Sequence, residues 1–150
     1  MTAEIRPLSL ADAPQVQSNC FPELPLDEVE ERVKEDLALQ EKGEGLTLVA
    51  VEDGRIGVHA KMLKHEQVGW IFDVASHPDF RGRGILQRLM EDLARRAERM
   101  GITRLAIHVR ADNLRARRAY EKACFRRVGQ DGMRGDQLRY ERRLAANRSA

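Results

Sequence analysis

Apolar and polar positions along this chain change period several times, and each change marks an element. Residues 3–8 read as a short opening strand containing Pro7, and S-L-A-D then starts a helix near Ser9. A break follows over residues 21–25, which hold Pro22 and Pro25. Asp27 and Glu30 have the spacing of an N-cap and its capping-box partner. Val29, Val33 and Leu37, with Leu26 just before them, draw one narrow apolar stripe along a charged helix that ends by Gly43. The period then drops to that of strands. Residues 46–52 and 55–63 are β-rich runs joined at Asp53-Gly54, a dipeptide that favours a tight hairpin. Lys64-His65-Glu66 leads into the next run, residues 68–75, so the second, third and fourth strands form a meander.

That run empties into a loop holding Pro78, Gly82 and Gly84, after which helical spacing resumes at once. Leu86, Leu89, Met90, Leu93, Ala97 and Met100 share one face, read as core. Glu91 with Arg95 and Asp92 with Arg96 stand four apart on the other side. Gly101 ends the helix and residues 103–109 form a further strand, whose crossover makes its pairing with the fourth strand parallel. Asn113 caps another helix with the face Ala116, Ala119, Tyr120 and Ala123. Residues 125–130 and 137–144 close the pattern as two strands around D-G-M-R-G-D, ahead of a tail, A-A-N-R-S-A, that reads as frayed.

Composition narrows the class. A length of 150 residues fits one domain spanning residues 1–150. With 42% hydrophobic and 33% charged residues, and no apolar run near the length of a membrane span, the expectation is a globular chain without a membrane partner. The opening M-T-A-E-I-R-P lacks the apolar core of a signal peptide, so the expected location is cytoplasmic. Cys20 and Cys124 are far apart and form no C-x-x-C pair, which argues against a disulfide framework and a zinc site; no metal is expected. His59 and His65 belong to no spaced ligand set and read as strand and turn histidines. The net charge is only +2, from 26 basic and 24 acidic residues, but acid gathers early and arginine late. Because many of those arginines alternate with glutamates, the asymmetry fits a pocket for a polyanionic ligand better than a nucleic-acid surface.

The candidate chemistry lies in V-G-W-I-F-D-V-A-S-H-P-D-F-R-G-R-G-I-L, residues 68–86. A strand, a glycine turn and a helix in succession leave the first helical N–H groups unpaired and pointing outward, at the positive end of the helix dipole. Arg81 and Arg83 stand within the turn, so an anion, and specifically phosphate, is the expected ligand. Neither common phosphate pattern is present: there is no G-x-x-x-x-G-K-[ST], and R-G-R-G-I-L lacks the third glycine of a dinucleotide fingerprint.

What the stretch resembles is the acetyl-coenzyme A motif of the GCN5-related N-acetyltransferase (GNAT) family, R/Q-x-x-G-x-G/A, with Arg81, Gly84 and Leu86 at its three defined positions. Leu86 departs from the usual small residue. A second match follows: Arg110-x-x-Asn113 and then A-x-x-x-Y-E-K-x-x-F resembles the family's N-x-x-A-x-x-x-Y-E-K-x-G-F, with Cys124 where glycine is usual. The resemblance implies an α/β fold, a mixed, splayed sheet of about seven strands with helices on both faces, and acetyl-CoA in the gap where the fourth and fifth strands part.

It further implies acetyl transfer to an amine by direct attack on the thioester in a ternary complex. Carried over residue by residue, the Val74 N–H would hold the thioester carbonyl and the backbone near Ser76 would pair with the pantetheine arm. The amides of Arg81, Gly82, Arg83, Gly84, Ile85 and Leu86 would take the pyrophosphate, and Asn113 would touch the cofactor beyond it. Tyr120 is the implied acid for the departing thiolate. The base is open between Asp73, His108 and an ordered water chain, and Asp73 reads equally as a buried strand carboxylate bonded to nearby backbone. The expected acceptor is a small-molecule primary amine, with a protein N-terminus or lysine as runner-up. A non-catalytic acyl-CoA sensor is the alternative from another class, and the family leaves a homodimer open.

Overall fold

A computed structural model of the chain describes residues 2–131 and 136–145. Seven strands form one open sheet in the order β1-β2-β3-β4-β5-β7-β6. Their bounds are β1 Glu4–Pro7, β2 Gly45–Glu52, β3 Arg55–His65, β4 Val68–Ser76, β5 Arg104–Arg110, β6 Arg126–Asp131 and β7 Gln137–Arg143. The helices are α1 Ala13–Cys20, α2 Leu26–Glu41, α3 Ile85–Arg99 and α4 Leu114–Lys122. The β4 and β5 pair is parallel and the other neighbours are antiparallel, so the sheet is mixed, as a crossover through α3 demands. The inner residues of the D-G-M-R-G-D turn and most of the tail lie outside the described residues.

Alternation along β2 and β3 divides the core. Leu48, Ala50, Val58, Ala60 and Met62 turn to the face covered by α3, joining Leu89, Met90 and Leu93. Val49 and Ile56 turn to the other face and meet Val16, Val29 and Val33 from α1 and α2. Helices therefore lie on both faces, but α1 and α2 lie mainly over the β2 and β3 side. Beyond it, Phe72 on β4 is 43% exposed and His108 on β5 is exposed.

Three local expectations are corrected. Asp27 is not the cap of α2: the N-cap is Pro25, and Asp27 lies inside the first turn, where its carboxylate is well placed against the helix dipole. Of the apolar stripe on α2, Val29 and Val33 are buried, whereas Leu37 is half-buried and Leu26 is exposed. On α3, Asp92 pairs with Arg96 at 3.1 Å as the spacing suggests, but Glu91 pairs with Arg142 of β7 at 2.9 Å. A tertiary partner held by the sheet displaces a helical neighbour whose surface pairing contributes only a few tenths of a kcal/mol.

Two irregularities position the cleft. Pairing of β4 with β5 runs from Val68↔Arg104 to Ile71↔Ile107 and goes no further, so the two strands part beyond Ile71. Just past that point β4 holds a bulge: His59↔Ala75 is followed by Lys61↔Phe72, which sets Asp73 and Val74 opposite the single residue Ala60. At the outer rim, β6 is also bulged, between Arg127 and Gly129.

Candidate active site

After Ser76 a short 3₁₀ turn, Pro78–Phe80, ties the loop to the sheet. The Phe80 ring, 3% exposed, lies directly over Gly57, where any Cβ would meet it at 2.1 Å. Gly57 is thus a close-approach glycine that lets the loop seat. The chain then reaches Gly84 at φ 75°, the left-handed region in which glycine pays no Cβ penalty, and α3 begins at the next residue. This N-terminus has no side-chain cap and no acidic residue in its first turn. An uncapped start of this kind, with orphan N–H groups at the positive end of the dipole, suits an anion.

A cavity of about 540 Å³ lies against this helix start, lined by Val74, Ser76, Arg81, Gly82, Gly84, Ile85 and Leu86, and across it by Asn113, Arg115, Ala116, Tyr120 and Lys122. A second cavity of about 320 Å³ occupies the gap between β4 and β5, with Phe72, Asp73, His108, Arg110 and Gln137 among its walls. Val74, Asn113 and Tyr120 line both.

The electrostatics fit a polyanion in the larger cavity. Slight desolvation, then the like charge of Arg115, holds the Arg81 guanidinium below its usual value. Two cations near each other on facing walls are a site short of negative charge. Arg81 Nε donates to the Ser76 carbonyl at 3.1 Å, which fixes the stem; among the described residues the rest of the fork has no partner. Arg83 points away, paired with Glu52 and donating to the Asp79 carbonyl at 3.3 Å, so its side chain is not among the cavity's walls. Asn113 caps α4, its Oδ1 accepting from the Ala116 N–H at 3.2 Å. Leu86 is half-buried and serves two surfaces, the core and the cavity wall. Reading the α3 stripe as core alone is corrected there. The left-handed backbone at Gly82 and Gly84, an uncapped helix start and two neighbouring cations are a donor set that fits the diphosphate of acetyl-CoA.

At the junction of the cavities Tyr120 is 6% exposed, its ring against Phe125 at 6.2 Å. Burial pushes its hydroxyl up to about 12, so it is protonated at neutral pH. Among the described residues nothing pairs with that hydroxyl. The neighbouring Glu121 has a structural partner, accepting from the Tyr140 hydroxyl at 2.9 Å. Cys20 reaches the larger cavity from the end of α1, and burial pushes its thiol up to about 12.

His108 and Asp73 flank the gap. The His108 ring stacks on Trp70 at 5.3 Å, and its Nε2–H donates to Asp131 Oδ2 at 2.8 Å. The bond from His108, ahead of Arg139, holds the Asp131 carboxyl below the usual range. Asp73 is exposed, not a buried carboxylate bonded to backbone. Its φ is 53°, a left-handed conformation that aspartate tolerates better than most residues, so its place in I-F-D-V-A also has a backbone reason. Cys124 likewise sits at φ 70°, keeping the conformation that glycine would supply.

Sequence reasoning missed Cys20, Arg115, Lys122, Trp70 and Asp131. Arg115 and Lys122 stand seven apart on α4, two helical turns, which was a usable signal once Asn113 marked the helix start. Nothing local signalled Cys20 or Asp131, which reach the site only through the fold.

Comparison with known proteins decides the family. The profile of the acetyltransferase (GNAT) family matches residues 10–124. The chain belongs to that family. It is 33% identical over 72 residues to YycN, an uncharacterised N-acetyltransferase of Bacillus subtilis, across 48% of this chain and 46% of that protein. The match thus spans about half the length of that relative.

Among solved structures, a PaiA N-acetyltransferase from Thermoplasma acidophilum in complex with coenzyme A superposes with a TM-score of 0.78 at 17% identity, covering 96% of this chain and 100% of that one. An acetyltransferase from Salmonella typhimurium that modifies the N-terminal serine of 50S ribosomal subunit protein L7/L12 gives 0.82 at 18% identity, covering 97% and 96%. These likenesses establish the GNAT fold, with the splayed mixed sheet expected from the motifs.

Proposed function

We propose that this GNAT chain is an N-acetyltransferase that moves an acetyl group from acetyl-CoA directly to a primary amine within a ternary complex. One observation carries the reading: the cavity beneath the glycine loop and the cavity in the strand gap meet at Val74 and Tyr120. A donor held in the first and an acceptor entering by the second come together at those two residues. Bound acetyl-CoA supplies an acetyl thioester, a carbonyl already activated toward amines.

The chain's own groups supply the rest. The amides of residues 81–86 with Arg81 and Arg115 hold the diphosphate, and the backbone near Ser76 lies beside the pantetheine arm. The Val74 N–H donates to the carbonyl oxygen as it gains charge. Tyr120, kept protonated by burial, gives its proton to the departing sulfur. His108 takes the proton of the amine: with Nε2–H committed to Asp131, the free lone pair is on Nδ1. Asp73, an exposed carboxylate in the same gap, is the second candidate for that step. Cys20 stays a thiol and is a poor acyl carrier, which favours direct transfer over an acyl-enzyme route.

The acceptor is a small-molecule primary amine in this reading. A protein N-terminus or lysine is the second reading. It is favoured by the opening of the gap onto the uncovered sheet face at Phe72, and by the ribosomal-protein substrate of one structural relative. Initial-rate measurements of thiol release from acetyl-CoA across a panel of small amines and peptides test both. Intersecting double-reciprocal plots are expected. Parallel plots would overturn direct transfer, and an absence of thiol release with every acceptor would leave an acyl-CoA sensor.

A further inference from the structure

His59 is 4% exposed, in mid-strand, at a position where an aliphatic residue would serve packing as well. A buried polar ring in such a place calls for a partner. Its Nδ1 lies 2.8 Å from the carbonyl oxygen of Asp73. A carbonyl only accepts, so Nδ1 carries the proton. Burial, which lowers the affinity of this imidazole for a second proton, keeps the ring neutral, and the edge of Phe21 packs against it at 5.1 Å.

The carbonyl it binds is a particular one. The bulge removes Asp73 and Val74 from the register between β3 and β4, so neither has a cross-strand partner there. Asp73 is held at φ 53°. A residue in that conformation, outside the register, lacks the paired neighbour that holds the rest of β4. The Asp73 carbonyl and the Val74 N–H belong to one peptide plane and point in opposite directions across it, because the peptide is planar and trans. Fixing the oxygen therefore fixes the direction of the N–H.

We propose that His59 is a positioning residue that clamps the Asp73 carbonyl on one side of β4 and thereby aims the Val74 N–H into the cleft for the acyl carbonyl of the thioester. The inference rests on the proposed role of Val74. It predicts that the ring of His59 matters through one hydrogen bond and not through its titration.

The test compares His59→Leu, which removes the donor, with His59→Gln, which can restore an N–H. In His59→Leu, kcat is expected to fall tenfold or more with CoA affinity changed less than about threefold, the pattern of a lost oxyanion donor with the diphosphate grip intact. His59→Gln should recover a substantial part of that loss. The amide resonances of Asp73 and Val74 in ¹⁵N spectra should move in the leucine variant and return toward wild type in the glutamine variant.

A folded leucine variant with normal kcat and unmoved amides overturns the proposal, as does an equal loss in both variants. Where the leucine variant fails to fold, His59→Phe, a ring of similar shape without a donor, takes its place and should show the same fall in kcat and the same movement of the Asp73 and Val74 amides. A folded phenylalanine variant with normal kcat and unmoved amides would also overturn it. If wild-type protein releases no thiol, the proposed function fails by itself, and the amide resonances still decide whether His59 holds the bulge.

Discussion

The two ends of the cleft are built differently. Around residues 81–86 the surface proposed to hold the diphosphate is mostly backbone: an uncapped helix start, two left-handed glycines, and a loop seated by one buried phenylalanine on one glycine. At the junction and mouth the surface is side chain: a buried tyrosine, a histidine held between Trp70 and Asp131, and a carboxylate on a bulge. Backbone recognition restricts which conformations are allowed, whereas side-chain recognition restricts which functional groups are present. The ends should therefore respond to opposite kinds of substitution.

The largest effect is expected at the junction. Tyr120→Phe keeps the ring and removes only the hydroxyl. General-acid assistance is typically worth about 10²–10⁴-fold, so kcat should drop by at least about tenfold with CoA affinity nearly constant. Stopped-flow turnover beside calorimetry reads both, and normal turnover on the true acceptor would make Tyr120 a packing residue. The pH dependence has a definite sign. Burial raises this hydroxyl from its ordinary value, so the proton is held through neutral and mildly alkaline pH and lost only as pH rises toward about 12. A rate profile whose alkaline limb near pH 9 disappears in Tyr120→Phe would contradict that.

At the other end, Gly84→Val adds no charge and removes none, yet it forces a β-branched residue to φ 75° and places a side chain over the helix start. CoA binding should weaken by about tenfold or more, or 1.4 kcal/mol upward. Unchanged affinity with the fold intact would break the backbone side of the comparison. Arg115→Gln sharpens it. If amides carry most of the recognition, losing one exposed cation costs about 0.5–1 kcal/mol, a few-fold in affinity that shrinks as salt is raised. A hundredfold loss would mean that side chains dominate there as well. The smallest functional effect is expected from Cys124→Gly, away from both ends. Relief of a left-handed non-glycine residue should raise stability by about 1 kcal/mol, visible in denaturant midpoints, with kcat and affinity unaltered.

This division explains what could be read from the sequence. Backbone recognition is local in the chain, so Arg81, Gly84 and Asn113 pointed to the proposed donor end through fixed spacings. Periodicity likewise announced the strands of the meander, the crossover helix and the parallel pair. The mouth is assembled from β4, β5 and β7 with support from β3 and β6, and no spacing connects His108 with Asp131 or His59 with Asp73. The bulge itself depends on one extra residue opposite Ala60, which the alternation of I-F-D-V-A does not reveal. Surface ion pairs were read only as far as their own helix, and Glu91 went to the sheet instead. The direction of the Arg83 side chain was equally invisible, because its partner Glu52 lies far back in the chain.

The two outer strands carry a consequence of another kind. Any open sheet has rims along which a further chain can be templated, one hydrogen bond at a time. Here one rim is a four-residue strand ending in Pro7, which has no N–H to donate. The other, β6, is bent by its bulge and puts the exposed guanidinium groups of Arg126 and Arg127 where an incoming copy would bring the same charges. Lateral accretion is discouraged at both rims, so copies of this chain that associate would do so through helices or the bare sheet face, and crowding should not draw the fold into fibrils.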